Sequence, residues 1–486
     1  MFTLLHVSDL HRSKSDPISN SELISALIAD SQRFSRETPV IASPDAIVVS
    51  GDLVQGVRLG ASDYPAALAA QYEEALELLV MMADRFVGGD RSKVVIIQGN
   101  HDVDWNIARR SMTPVDARGK DIAGLLQAVG SSFRWCWESR QLFEVTDPAL
   151  YARRFDFFCA LYERFYQPAR LVFDLDPRRA WNLHSLQDGR VVVGAFNSCT
   201  NNDCFSPYGE IPPDAISESH LALLSARSNP TLRIAVWHHD VQGPPRRSDY
   251  MDAHTVRLMI DKGYRLGLHG HQHKSEAVPH TLYTSERETM AVLSAGSLCA
   301  GHSEIPPGFR RQYNVVEIRE NCTARVHVRE SQLPGIFSQG TLPGLGNPSY
   351  VDVEWSPVPT ASLVNPGRGG GAVVSLLEEI ERLLGSGKFS QAIRLIDGAG
   401  EALGKSARLL KTEALFRGSD WASLADHLRA PENADELAKC VRALIELKHY
   451  EAGEGVLVTA EASGQFEASL IRALREQIRM EKVISK

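Results

Sequence analysis

Phe2-Thr3-Leu4-Leu5-His6-Val7-Ser8-Asp9-Leu10-His11 is an apolar run that ends in an acid and a histidine two residues apart. The pattern returns four times. Ala46–Ser50 ends in Gly51-Asp52, Val94–Gln98 in Gly99-Asn100-His101-Asp102, Leu232–Trp237 in His238-His239-Asp240, and Leu266–His269 in Gly270-His271-Gln272-His273. Each run is short and rich in Val, Ile and Leu, which predicts buried strands. Amphipathic stretches at about 21–35, 64–85, 214–226 and 252–262 predict helices between them. Strands alternating with helices give a layered α/β core. Ligands of such sheets collect beyond the carboxyl ends of the strands, where all five polar clusters fall.

Gathered on one rim, the clusters offer two carboxylates, one side-chain amide and several imidazoles. Hard oxygen donors mixed with imidazole suit Mn, Fe or Zn better than Ca or Mg alone. Asp9 and His11 stand at i and i+2, as do His271 and His273, so on extended backbone each pair points to one side. His238 and His239 are adjacent, and on such a backbone only one of them faces the site easily.

Taken in order, D-x-H, GD, GN[HD], a histidine at a strand end and GH-x-H resemble the calcineurin-like metallophosphoesterase superfamily. Every element is matched between residues 9 and 273. The resemblance implies a metallophosphoesterase β-sandwich flanked by helices and a pair of divalent cations, Mn favoured, with Fe, Zn or Mg as alternatives. By position it implies that Asp9, His11 and His273 hold one cation, that Asn100, His238 and His271 hold the other, and that Asp52 bridges them through its two oxygens. It further implies that His101 is the catalytic imidazole, with Asp102 placed to orient it. Gln55, three residues after Asp52, stands where many relatives carry another polar or acidic residue. Two cations sharing a hydroxide lower its pKa towards neutrality and so supply a nucleophile. They also stabilise charge on the transition state, while a histidine can protonate the leaving group. His6, His184, His220, His254, His269, His280, His302 and His327 are expected to be solvated or structural. Arg12, Arg246 and Arg247 lie close in sequence to the expected ligands and are candidate phosphate contacts.

The chain has 486 residues, too many for one ordinary core. Residues 1–355 carry the strand-and-cluster pattern. Within them 105–168 is rich in aromatics and arginine and reads as a helical cap insertion. Its aromatics form either the cap's own core or a base-stacking platform. Residues 356–371 read as a linker from their Pro, Gly and Ser content. Residues 372–486 read as an all-α domain with a faint repeat: Phe389, Trp421 and Tyr450 each follow a polar turn, 32 and 29 residues apart. That spacing resembles tetratricopeptide-type repeats, whose arrays bind partners, so a protein partner or self-association is expected there.

Hydrophobic residues make up 43% and charged residues 23%, with a formal net charge of -8. This excludes a surface built for indiscriminate nucleic-acid binding, although a local basic groove can sit on an acidic body. Seven dispersed cysteines without a C-x-x-C pair fit a reducing compartment. The start of the chain lacks the pattern of a signal peptide, and no stretch is long and apolar enough to span a membrane. A cytoplasmic protein without a membrane contact is expected. Three functions follow for comparison: a phosphodiesterase, most plausibly a nuclease; a phosphomonoesterase acting on a nucleotide, phosphoprotein or metabolite; and a partner-binding scaffold with a vestigial hydrolase core. The histidine in Gly99-Asn100-His101-Asp102, also seen in SbcD-type repair nucleases and cyclic-nucleotide phosphodiesterases, favours the first. A complete ligand set argues against the third.

Overall fold

The computed structural model describes residues 2–484 apart from 14–17, 128–129, 168–170, 172, 175–178, 226–229, 242–248, 284–286, 301–304, 306–308, 334, 343–348, 359–375, 377–378, 381, 385, 400–402, 404, 465 and 467. Two compact units divide the chain: residues 1–282 with 288–360, and residues 283–287 with 361–486.

The first unit begins β1 (Phe2–Val7), α1 (Asn20–Ser31), β2 (Ala46–Ser50), α2 (Ala66–Phe86), β3 (Val94–Ile97). An insertion follows, with α3 (Trp105–Arg110), β4 (Met112–Val115), α4 (Ile122–Gln127), β5 (Phe133–Cys136), β6 (Gln141–Val145), α5 (Pro148–Ala152) and α6 (Asp156–Phe165). Then come β7 (Trp181–Leu186), β8 (Val191–Phe196), α7 (Pro213–Ser225), β9 (Leu232–Val236), α8 (Ala253–Asp261), β10 (Leu266–His269), β11 (Glu276–Tyr283) and β12 (Arg287–Ser294). β13 (Gln312–Ile318), β14 (Thr323–Leu333), β15 (Ile336–Gln339) and β16 (Tyr350–Glu354) complete it.

One sheet runs β15-β14-β13-β1-β2-β3, with β16 also paired to β14; the other runs β11-β12-β10-β9-β8-β7. β1, β2 and β3 are mutually parallel, and so are β8, β9, β10 and β12. Alternation along each strand sets the layers. Phe2 and Leu4, Ala46 and Val48, Val95 and Ile97 join Ile234, Val236, Leu266, Leu268 and Leu293 in a core between the sheets. The intervening Leu5, Val7, Ile47, Val49 and Ile96 pack instead on α1, α2 and α6. On the far side, Ala235, Trp237, Met290 and Val292 pack on α7 and α8. A sheet buried on both faces reads as a continuous apolar run, which is why these strands are dominated by Val, Ile, Leu and Ala. The result is a β-sandwich covered by helices on both sides, as the sequence implies.

The insertion departs from its expected helical character. Between its helices β4, β6 and β5 form a small antiparallel sheet. Three of its aromatics meet its own arginines: Arg109 lies 4.4 Å over Phe143, and Arg154 lies 3.8 Å over Tyr151 and 4.1 Å over Phe155. Phe158, Tyr162, Phe165 and Tyr166 join the core beside α1 and α2. Trp137 is 83% exposed, edge-on to Trp135. The expected linker starts late as well. Trp355 is buried between the sheets, Ser356 exchanges hydrogen bonds with Thr289, and Arg265 Nε donates to the Pro357 carbonyl at 3.2 Å. Most of 356–371 lies outside the described residues.

Beyond residue 375 no strand occurs among the described residues of the second unit. Helices span Phe389–Gly398, Lys405–Arg417, Trp421–His427, Ala434–Glu446, Tyr450–Ser463 and Ala468–Ile484. Phe389, Trp421 and Tyr450 each open a helix. Two residues before each stands one residue with positive φ: Gly387 (70°), Ser419 (53°) and Lys448 (59°). The turn bonds also coincide. Lys388, Asp420 and His449 donate their backbone N–H to the carbonyls of Leu383, Leu415 and Leu444, at 2.9, 3.0 and 2.8 Å. One turn is thus made three times.

Candidate metal centre

β1, β2 and β3 of one sheet and β9 and β10 of the other all carry their carboxyl ends to one rim, and the five clusters meet there. Backbone bonds tie them first: Asp9 N–H donates to Gly51 O, His11 N–H to Asp52 O and Gly270 N–H to His238 O, at 3.0, 3.0 and 3.1 Å. The glycines of these motifs permit the approach. A Cβ on Gly99 would stand 2.1 Å from Asp52 Oδ1, and one on Gly270 would stand 1.8 Å from Ser8 Oγ.

Asp9, His11, Asp52 and His273 each present a donor atom, and these atoms lie within 4.8 Å of one another. His11 Nε2 is 3.2 Å from His273 Nε2, and His273 Nε2 is 3.2 Å from Asp9 Oδ1. Donors each about 2.1 Å from one ion stand roughly 3 Å apart, so these spacings fit a shared cation. Asp9 Oδ1 is buried and receives no well-formed hydrogen bond, as suits an oxygen that faces a metal rather than a proton. A second set lies alongside: Asn100 Oδ1 is 3.0 Å from both His238 Nε2 and His271 Nδ1. Asp52 Oδ2 lies between the sets, 3.7 Å from His11 Nε2 and 3.2 Å from His238 Nε2. Its other oxygen accepts the His101 backbone N–H at 2.8 Å. Oδ2 thus lies within 3.7 Å of a histidine of each set.

The electrostatics match. Burial works against ionisation of Asp9, yet His273, His11 and His238 outweigh it and hold the carboxyl well below its usual range. Asp52 is lowered likewise, by His238 and His101 against the same burial. Burial would pull His238 down, but Asp52 and Asp9 push it up to about 9. Two buried carboxylates that hold a proton on a buried imidazole make a field suited to a cation.

Three expectations need correction. Asp102 does not orient His101. Its carboxylate accepts backbone N–H groups from Gly99, Leu53 and Val54, at 2.7, 2.9 and 3.1 Å, and so fastens the β2 end to the β3 end. Burial and the neighbouring Asp52 charge push it up to about 7. His101 Nδ1 instead donates to the Gln55 carbonyl at 2.8 Å, since a carbonyl only accepts, which leaves Nε2 to face the site. Arg12 is wholly buried, with Nη2 on the Ile18 carbonyl and on Glu74 at 3.1 and 3.3 Å. Such a guanidinium belongs to the framework rather than to a substrate surface. Finally, Asp9, His11, His271 and His273 do not sit on extended backbone: their φ values are 51°, 43°, 74° and 55°. Arg246 and Arg247 lie outside the described residues.

Some contributors escaped the sequence reading. Ser198, at the carboxyl end of β8, accepts the backbone N–H of His238 and His239 and lies 2.9 Å from His239 Nδ1. Asn197 beside it accepts the Gln98 amide at 2.7 Å. The signal was present, since the apolar run Val191–Phe196 also ends in polar residues, but neither Asn nor Ser announces a ligand. His239 is buried beside His271, 4.9 Å between ring centres, and His269 stacks on Trp237 beneath the rim.

Residues 2–275 match the calcineurin-like phosphoesterase family. The chain belongs to that family. It is accordingly a metal-dependent phosphoesterase, with a candidate metal site at Asp9, His11, Asp52 and His273. Three solved structures are similar to 73% of the chain. They are a dimetal phosphatase from Danio rerio (11% identity, 99% of its own length, TM-score 0.37), a Vps29 variant from Entamoeba histolytica (9%, 100%, 0.23) and the calcineurin-like phosphoesterase YfkN from Bacillus subtilis (13%, 90%, 0.26). No curated protein matches the chain. No tetratricopeptide family matches the second unit, and among the described residues no helix is long and apolar enough to cross a membrane.

Proposed function

We propose that this phosphoesterase is a phosphodiesterase with a two-cation centre, acting on a nucleotide or nucleic-acid ester. The observation that carries the reading is the position of Asp52 Oδ2 between two donor sets. Asp9, His11 and His273 form one set, Asn100, His238 and His271 the other. Their mixture of oxygen and imidazole favours Mn. When bound, the cations supply an activated water and neutralise the phosphate. The chain's own part is to fix the geometry. Ser50 O holds His238 through Nδ1 at 2.8 Å, and Gln55 O holds His101. His101 Nε2 then meets the leaving oxygen or a phosphoryl oxygen. The preference for a diester rests on that histidine.

The test is a metal-reconstituted panel: a diester, a monoester, cyclic nucleotides, single-stranded and duplex DNA, and RNA. Mn-dependent diester cleavage should dominate and vanish in Asp52→Ala. A panel in which the monoester dominates would overturn the diester reading but leave the two-cation one.

For the second unit the reading is a helical-repeat interaction domain that docks a protein partner or a second copy, supported by the threefold turn. All seven cysteines are free of disulfides, which supports a cytoplasmic location.

A further inference from the structure

His238 and His271 approach Asn100 Oδ1 from two sides at the same distance, but with different nitrogens. His238 turns Nε2 inward, and its outer Nδ1 is fixed by the Ser50 carbonyl at 2.8 Å. His271 turns Nδ1 inward, so its outer nitrogen is Nε2. That nitrogen faces a carboxylate: Asp249 Oδ2 lies 3.7 Å away. The distance is longer than a hydrogen bond and within reach of an ion pair.

Charge makes this contact more than local packing. The set containing Asp9 has a carboxylate of its own and a share of Asp52. The set containing Asn100 has only the share of Asp52, because an amide and two imidazoles carry no negative charge. A divalent cation there would be poorly neutralised. Asp249 supplies the missing charge from behind His271, on a side chain 24% exposed against 9% for His271, so solvent screens it only in part. Its place is fixed two residues on, where Met251 N–H donates to Asp240 O at 2.7 Å and Met251 bridges to Gly209. A carboxylate behind a ligating imidazole orients the ring and raises its basicity.

We propose that Asp249 is a positioning residue that sets the cation affinity of the Asn100–His238–His271 set by orienting and polarising His271. The inference rests on the two-cation reading above. The experiment is a Mn titration of the full chain after chelation, followed by calorimetry and by electron paramagnetic resonance, without substrate. Wild type should take two ions. In Asp249→Asn one affinity should fall roughly 10- to 100-fold while the other holds, with unchanged circular dichroism, and Asp249→Glu should recover most of the loss. Two affinities unchanged in Asp249→Asn, or both lowered alike, would overturn the inference and leave the two-cation reading standing. A wild type that takes one ion or none would bring down that reading, and the inference with it.

Discussion

Five of the seven expected ligands, Asp9, His11, Asp52, His271 and His273, sit in the left-handed region. A non-glycine residue there costs on the order of 1–3 kcal/mol, and such residues cluster where a site imposes its geometry. Residue types and spacing made the donors legible in the sequence, but a single φ leaves no trace in an apolar pattern. The two-residue spacing therefore predicted the right neighbours for the wrong backbone. Asp102 misled for a similar reason, because adjacency to His101 in sequence says nothing of where three backbone N–H groups point. His101 itself gives a sharp expectation. If it protonates the leaving group, His101→Ala should slow esters of poor leaving groups far more than those of good ones, as compared by turnover on a graded phenyl ester series. Equal losses would remove it from that role. Away from the rim, burial pushes His184 down to about 4. The unfolded chain then binds the proton first, so stability should fall as pH drops from about 6.5 to about 4 and level off below, by about 3 kcal/mol. Urea denaturation across that window should show a shallower fall in His184→Gln than in wild type.

Elements follow apolar runs closely where both faces of a strand are buried. β1, β2 and β10 begin and end where the sequence runs do. The small sheet of the insertion was not legible, because β4, β5 and β6 mix polar and aromatic residues over four or five positions and carry no clean period. In the second unit the opposite happens: a faint spacing of aromatics turns out to mark one turn built three times. Gly387 occupies the left-handed position at no steric cost, whereas Ser419 and Lys448 bear a Cβ there. Lys448→Gly should therefore stabilise that turn by about 1 kcal/mol, read as a higher midpoint in denaturant by Trp421 fluorescence. Lys448→Ala, which keeps the Cβ, should show little gain.

At the level of the whole molecule, the candidate metal site at Asp9, His11, Asp52 and His273 belongs to the first unit, and the secondary structure described within 376–484 is helical. Removing 372–486 should leave turnover of a small chromogenic ester near wild type and weaken partner capture. Loss of all turnover in a truncation that still folds would count against separate roles for the two units. The order of the first unit along the chain has a consequence for its birth. β1 pairs with β13, so Leu5 waits for Val315, and Asp9 waits for His273. A chain emerging from the ribosome has displayed Asp9, His11, Asp52 and Asn100 long before it can offer the three histidines of the other sheet. Closing so distant a contact is slow. The nascent chain thus carries only part of the candidate metal site until His273 has been made, and the site cannot be complete before then.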